Sequence, residues 1–465
     1  MFIILMIIDC LRDDYSSQLK QLLYKKEFVV YDNVYSTSSW TIPSIVSILT
    51  GLYPSEHGVH ESKHVKNPYI KVPHYIQNIM LQKILSRKGF YTYLLSAGLT
   101  SSYFGFTGFH LEYTIIPEPI HTVLLNLTSI IKQKMRSKNL SQDQMNASPL
   151  YYITNVIRKG FRKSILRKVV DDILSYMFRI PRWKLDKGCS TLLWKAKKIL
   201  TSNLRKKFLL IHLVEPHEPY PTIRFEELGV WEIINDILGI VDPDVVEKLR
   251  VGYAEKVRYI TQKIWEFVVY LDEKRALDNS LIIITADHGQ MLGENNAILH
   301  GIHLYDELLR IPLLIHYPKT INIEITKAKK VISSTRIYDI ILGIASKEAQ
   351  SDEVLCSDIV FSESWGLHHD INYLIKRRGI DPRIVSFLEK YRLKQLYLEN
   401  FRIRATSTDF SFIYHVDKQK IELLRGSIDE KTAQEIVDRY LSNAIKMHLR
   451  LRLKRITMKS LKMLK

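Results

Sequence analysis

The sequence predicts an α/β fold, a mixed and mostly parallel sheet between helices, with a small α+β subdomain at its C-terminal end. Three observations carry that prediction. Short apolar runs (FIILMII, FLLIHLV, SLIIITA) recur with helix-length stretches between them, and such runs are strands buried on both faces. The chain just beyond each run carries an acid or a histidine: Asp9, then Glu215 and His217, then Asp287 and His288. The carboxyl ends of parallel strands are where folds of this class put chemistry. After about residue 350 the texture changes to the alternation of antiparallel strands, in DIVFSES, LYLENFRIRATS and FSFIYHV.

Taken in order, residues 2–9 form the first strand, with Asp9 at its tip. Residues 16–26 read as a short helix and 28–34 as a second strand. The stretch STSSWTIPSIVSILTGLYPSEHGV follows. Pro43 suits the first turn of a helix and Gly51 its end, so Thr41 falls just before a short buried helix, facing the positive end of its dipole. Residues 72–88 look helical and 91–95 extended. Residues 104–200, rich in Lys, Arg, Ser and Asn, read as a helical insertion or lid. Strand FLLIHLV leads into Glu215-Pro216-His217-Glu218-Pro219-Tyr220, residues 243–275 form a long helix, and SLIIITADHG, LLRIPLLIHYP and TRIYDIILGIAS add two strands and a helix. His212, inside its strand, reads as structural. The expected divisions are a catalytic domain over 1–345, a C-terminal subdomain over 346–445 and a basic tail over 446–465.

Composition narrows the class. With 465 residues and normal apolar content, a large domain with a companion has ample core. A net charge of +18 points to anionic partners: a phosphate or sulfate ester, an acidic polymer or a membrane surface. No specific nucleic-acid motif is present. Three scattered cysteines, Cys10, Cys189 and Cys356, make no disulfide framework or zinc-finger spacing, and point to a reducing compartment. Residues 1–8 are too short to span a bilayer and lack the basic start of a signal peptide. The expectation is a cytoplasmic protein, peripheral at the inner membrane surface if the basic tail docks there.

Asp9, Asp287 and His288 are hard metal ligands at strand ends, Thr41 supplies a hydroxyl nucleophile, and His217 and His300 supply further imidazoles. Hydrolysis of an ester at phosphorus or sulfur needs this set, because a divalent cation lowers the hydroxyl's pKa and neutralises ester oxygens. Calcium, magnesium, manganese and zinc all suit such ligands, as one ion or two.

The segments IIDCLRDDY, SSWTIPSIVSILTGLYPSEHGV, HLVEPHEPY and IIITADHGQMLGEN…LHGIHLYDELLRIPLLIHYP together resemble the sulfatase branch of the alkaline phosphatase superfamily, over roughly residues 2–320. The resemblance implies the three-layer alkaline-phosphatase-like domain. It implies metal ligation by Asp9, Asp287, His288 and Thr41, with Thr41 as nucleophile. His217 and His300 match positions that bind the transferred group or a second metal. Arg12 and Asp14 complete the early DxLRxD pattern, Arg12 orienting the ligand shell; Glu215 is a candidate ligand to a second metal, and His303 a candidate substrate residue. The family's sulfatases carry Cys or Ser where Thr41 stands and Arg where Ile45 stands, and oxidise that Cys or Ser to an aldehyde. Thr cannot give that aldehyde. The resemblance therefore implies a phosphodiesterase or phosphotransferase working through a phospho-threonyl intermediate. The alternatives are a sulfuric ester hydrolase of the same family and a non-catalytic binder of an acidic polymer or membrane surface.

Overall fold

The computed structural model describes all residues except 62–69, 116–185, 202–205, 224–226, 230, 233–234, 236–238, 327–328, 367–399 and 464–465, and the side chains through residue 452. From the N-terminus, β1 (Phe2–Ile8) leads to the helix Ser17–Tyr24, to the short strands β2 (Val29–Tyr31) and β3 (Val34–Tyr35), and to the helix Thr41–Thr50. Then come β4 (Tyr91–Ser96), β5 (Leu111–Thr114) and β6 (Lys207–Leu213), and, after the helix Pro243–Glu273, β7 (Ser280–Ala286). The ribbon β8 (Met291–Leu292) and β9 (Ile298–Leu299) precedes β10 (Leu313–His316), β11 (Val331–Ser333) and β12 (Cys356–Ser357). Last are β13 (Val360–Ser364), β14 (Arg402–Thr406), β15 (Ser411–His415), β16 (Lys420–Arg425) and the helix Glu430–Met463. These elements lie in one compact unit, residues 1–115 and 188–465.

The main sheet has seven strands in the order β2-β10-β7-β1-β6-β4-β5. It is the mixed, mostly parallel sheet expected: β1, β4, β5, β6 and β7 run parallel, and β10 is antiparallel to β2 and β7. From Ile3 to Ile8 β1 is wholly inaccessible, which explains why its sequence is continuously apolar rather than alternating. A four-stranded antiparallel sheet, β13-β14-β15-β16, forms the smaller C-terminal layer. Ala433, Val437 and Tyr440 of the last helix pack with its Ile403, Ala405, Phe412 and Tyr414.

Register determines what meets at the sheet's edge. Ile8 pairs with Leu213 on one side and Ala286 on the other. The next residues, Asp9 and Asp287, therefore emerge side by side, and Asp9 N–H donates to Leu213 O at 2.8 Å. His217 follows four residues after that same leucine.

Several boundaries differ from the sequence reading. The strand over 28–34 is two strands in different sheets, because Asp32-Asn33 turns the chain, with Asn33 left-handed at φ 56°. The helix over 72–88 is two pieces, His74–Gln77 and Leu81–Arg87, since Met80 is extended and buried between them. The insertion over 104–200 overlaps the core at both ends: β5 is a strand of the main sheet, and the helix Cys189–Leu200 packs Leu192, Leu193 and Ala196 into the same core. Its middle, 116–185, lies outside the described residues. The basic tail continues the helix that begins at Glu430, with no Gly or Pro before Met463 to stop it.

Candidate active site

Thr41 is the first residue of its helix, and Trp40, in extended conformation, is the N-cap. The Thr41 hydroxyl is thus not engaged in capping, and the side chain is 4% exposed. The loop before it is pinned by serines. Ser36 Oγ–H donates to Asp287 O, and Ser44 Oγ–H lies 2.9 Å from both Trp40 O and Ser38 O. These bonds hold the start of the helix against the end of β7. Gly51, at φ 71°, closes the helix as its C-cap.

His288 is oriented from behind. Its Nδ1–H donates to Gly289 O at 2.8 Å, so Nε2 presents a lone pair forward. That nitrogen lies 3.3 Å from Thr41 Oγ1, 3.6 Å from Asp9 Oδ1 and 3.5 Å from Asp287 Oδ2. His217 is held likewise, Nδ1–H donating to Glu218 O at 2.7 Å. The ring of His300 lies 4.9 Å from that of His217 and 4.7 Å from that of His288. The sequence-predicted set Asp9, Thr41, His217, Asp287, His288 and His300 therefore converges on one locus.

Three other predicted residues do not join that locus. Glu215 turns to the start of the helix Cys189–Leu200, its Oε1 accepting from Cys189 N at 2.9 Å, and it belongs to none of the metal-ligating groups found among the described residues. The ring of His303 stacks on Tyr305 at 5.5 Å and faces Arg402 and Glu422, toward the small sheet. Asp14 is largely exposed and pairs with Arg12 at 2.7 Å. Arg12 itself, 4% exposed, braces two loops: besides Asp14 it donates to Glu294 at 2.8 Å and to Gln290 O at 3.1 Å.

Three residues of the cluster were not among the predicted site residues. His212 is fully buried in β6, with Nδ1 2.8 Å from Thr100 Oγ1, itself 2.6 Å from Ser96 Oγ. This chain of hydroxyls turns Nε2 toward Asp9 Oδ2, 3.6 Å away. The structural reading of His212 is therefore incomplete: the period of a strand puts alternate side chains on opposite faces, and His212 falls on the side of the acids. Glu218 Oε2 lies 3.4 Å from His217 Nδ1 and accepts from Gln290 Nε2 at 3.0 Å; Gln290 Oε1 in turn accepts from His300 Nδ1 at 2.7 Å. Cys10 Sγ lies 3.2 Å from Asp9 Oδ1. Its position directly after Asp9 was the available signal.

The electrostatics follow from burying this many charges together. Asp287 is pushed up to about 7, by burial and then by the charge of Asp9. Burial works in the same direction on Asp9, but His217, His288, His212 and His300 outweigh it and hold Asp9 below the usual carboxylate range. Glu218 is held down to about 2, the histidines His217 and His300 overcoming its burial. Burial lowers His212 to about 4, against the pull of Asp9.

The residues fit a divalent cation. Asp287 Oδ2 and His212 Nε2 are buried without a hydrogen-bond partner, and both face Asp9. One ligand atom from each of Asp9, His212 and Asp287 lies within 4.8 Å of the others; the same holds for Asp9, Cys10 and His288, and for Cys10, His217 and His300. Two adjacent buried carboxylates with an orphaned oxygen are costly unless a cation neutralises them. Among the described residues, no helix is long and apolar enough to cross a membrane.

Known proteins share parts of this sequence and its fold. The sequence model of the family described as Sulfatase matches residues 8–347. The arylsulfatase of Clostridium perfringens is 27% identical over 133 residues, covering 24% of this chain and 27% of that protein. A multifunctional alkaline phosphatase superfamily protein of Trinickia caryophylli is 35% identical over 75 residues, 16% of this chain and 14% of that protein. The chain thus spans about a quarter or less of the length of these two relatives. The phosphonate monoester hydrolase of Agrobacterium radiobacter shares the fold, with a TM-score of 0.55 at 14% identity over 97% of this chain and 95% of that one.

Proposed function

The chain belongs to the sulfatase family, and we propose that within it this protein is a metal-dependent hydrolase or transferase of phosphate esters, preferably diesters, with Thr41 as nucleophile. The observation that carries this reading is the Thr41 hydroxyl: buried, at a helix N-terminus, not used as a cap, and 3.3 Å from His288 Nε2 in the carboxylate and imidazole cluster. Thr cannot supply the aldehyde on which sulfate chemistry in this family depends, whereas its hydroxyl can attack phosphorus directly.

Asp9, His212, Asp287 and His288 would hold the divalent ion, with Thr41 beside it. When bound, the ion supplies the charge that lowers the pKa of the Thr41 hydroxyl and neutralises ester oxygens in the transition state. Thr41 Oγ attacks phosphorus in line with the leaving oxygen, forming the phospho-threonyl bond as the P–O bond to the leaving alcohol breaks. The N-terminus of the Thr41 helix favours the anionic group. His217 and His300, beside Cys10, would hold the transferred group, directly or as ligands of a second ion. Glu218 and Gln290 fix those two rings. Water or an acceptor alcohol then takes the phosphoryl group from Thr41.

The test is turnover of chromogenic phosphodiester, phosphomonoester and sulfate ester substrates across magnesium, calcium, manganese and zinc, with Thr41→Ala alongside. Metal-dependent diester cleavage that disappears in Thr41→Ala is the expected result. Sulfate release by the wild type, or diester cleavage by the variant, overturns the reading.

A further inference from the structure

We propose that Cys10 is itself a metal ligand, and that its thiolate, with His217 and His300, makes a place for a soft divalent ion such as zinc beside the carboxylate-rich place formed by Asp9, His212 and Asp287. The inference rests on the metal-dependent reading above and specifies the chemistry of its metal.

Geometry comes first. Cys10 Sγ lies 3.2 Å from Asp9 Oδ1, 3.7 Å from His300 Nδ1 and 3.9 Å from His288 Nδ1. One ligand atom from each of Cys10, His217 and His300 falls within 4.8 Å of the other two. Zinc binds sulfur at about 2.3 Å and imidazole nitrogen at about 2.0–2.1 Å, so tetrahedral ligands stand roughly 3.4–3.6 Å apart.

The ordinary reading of a buried cysteine is a small apolar filler. The surroundings of Cys10 oppose that reading, since its sulfur faces a carboxylate and two imidazoles. Its backbone is also unusual: φ is 62°, the left-handed region that a residue with a Cβ disfavours. The fold holds it there from both sides. Tyr253 OH donates to Cys10 O at 2.7 Å, and Cys10 N–H donates to Asp287 Oδ1 at 3.3 Å. Cys10 is also one of three free cysteines, so no disulfide accounts for it.

The chemistry is a simple exchange. The S–H bond breaks, a sulfur–metal bond forms, and one proton leaves to solvent per ion bound, with no change of oxidation state. A site of oxygen ligands alone suits magnesium or calcium, while a thiolate with imidazoles shifts preference toward zinc and cobalt.

The experiment strips the full-length protein of metal and titrates it with cobalt(II). The expected result is a near-ultraviolet sulfur-to-cobalt charge-transfer band that is absent in Cys10→Ser and Cys10→Asp and retained in Cys356→Ser. Zinc affinity, by competition with a chromophoric chelator, should fall about tenfold or more in Cys10→Ser. Should both Cys10 variants misfold by circular dichroism, X-ray absorption on the zinc-loaded wild type decides by itself, through a sulfur scatterer at about 2.3 Å. Cobalt or zinc bound without a sulfur signature overturns ligation by Cys10 and leaves the metal-dependent function standing. A wild type that binds none of cobalt, zinc, magnesium and calcium overturns both.

Discussion

Tyr253→Phe removes one oxygen from the middle of the long helix and should unsettle the catalytic loop. Tyr253 is fully buried, and its hydroxyl sits between two backbone groups. It accepts from Arg12 N at 2.9 Å and donates to Cys10 O at 2.7 Å, clamping the turn that carries Asp9 and Cys10. The phenylalanine ring keeps the edge contact with Tyr15, at 4.9 Å between centroids. The substitution therefore isolates the two hydrogen bonds. Each contributes about 1 kcal/mol net, and a buried backbone group left without a partner costs about 1–3 kcal/mol. Because these quantities overlap, the expected loss is about 2–4 kcal/mol. Urea unfolding of metal-free protein measures it as a fall in midpoint at unchanged slope. Freed of the clamp, Cys10 leaves its left-handed conformation, so the stabilisation gained on adding metal should shrink as well. A loss below about 0.5 kcal/mol, the level of an ordinary surface change, would refute the clamp.

Other expectations follow from the same geometry. Gly289→Ala would put a Cβ 2.0 Å from Glu307 O, a backbone atom that cannot step aside, so stability should fall by about 3 kcal/mol or the DHG loop should shift and turnover collapse; unfolding midpoint and kcat together check this. Asp287→Asn should leave the metal-free protein no less stable, because it removes one of two repelling buried charges, yet abolish the rise in Tm on adding magnesium or calcium; a response to those ions equal to wild type would contradict the ligand set. His57 is buried and neutral, with Nδ1 accepting from Val59 N at 3.0 Å and Nε2 bonded to Ser47 Oγ at 3.1 Å; burial, then nearby His60, holds its pKa well below the ordinary value of 6.5. The unfolded chain binds the extra proton first, so His57 contributes fully above pH 6.5 and its share is lost by about 1.4 kcal/mol per pH unit as pH falls below that value. Denaturation midpoints at pH 7.5 and 5.5 in wild type and His57→Gln should show the variant losing less on acidification.

The strands were readable because burial on both faces makes them continuously apolar, and the chain just beyond three of them carries an acid or a histidine. Asp9 and Asp287 could be named for that reason, and register then sets them side by side. The Thr41 helix was readable from Pro43 and Gly51. Which face a residue takes within a strand was not readable. His212 looks like any histidine in an apolar run until β1 is laid beside β6. The same limit separates Glu215 from Glu218, three residues apart beyond one strand: the first reaches back to Cys189, and the second turns into the cluster. The pairing of the 28–34 segment depended on a left-handed Asn33, a turn choice that hydrophobic pattern does not encode. The surroundings of Cys10 needed the fold: of Asp9, His288 and His300, which its sulfur faces, only Asp9 is near it in sequence.

The most direct measurement is acid quench of the metal-loaded enzyme during turnover of a chromogenic phosphodiester, followed by peptide mass spectrometry. The predicted result is a phosphoryl group on Thr41, formed in a burst with one equivalent of released alcohol. Turnover with Thr41 unmodified in the burst phase, or phosphorylation of another residue that persists in Thr41→Ala, would contradict it.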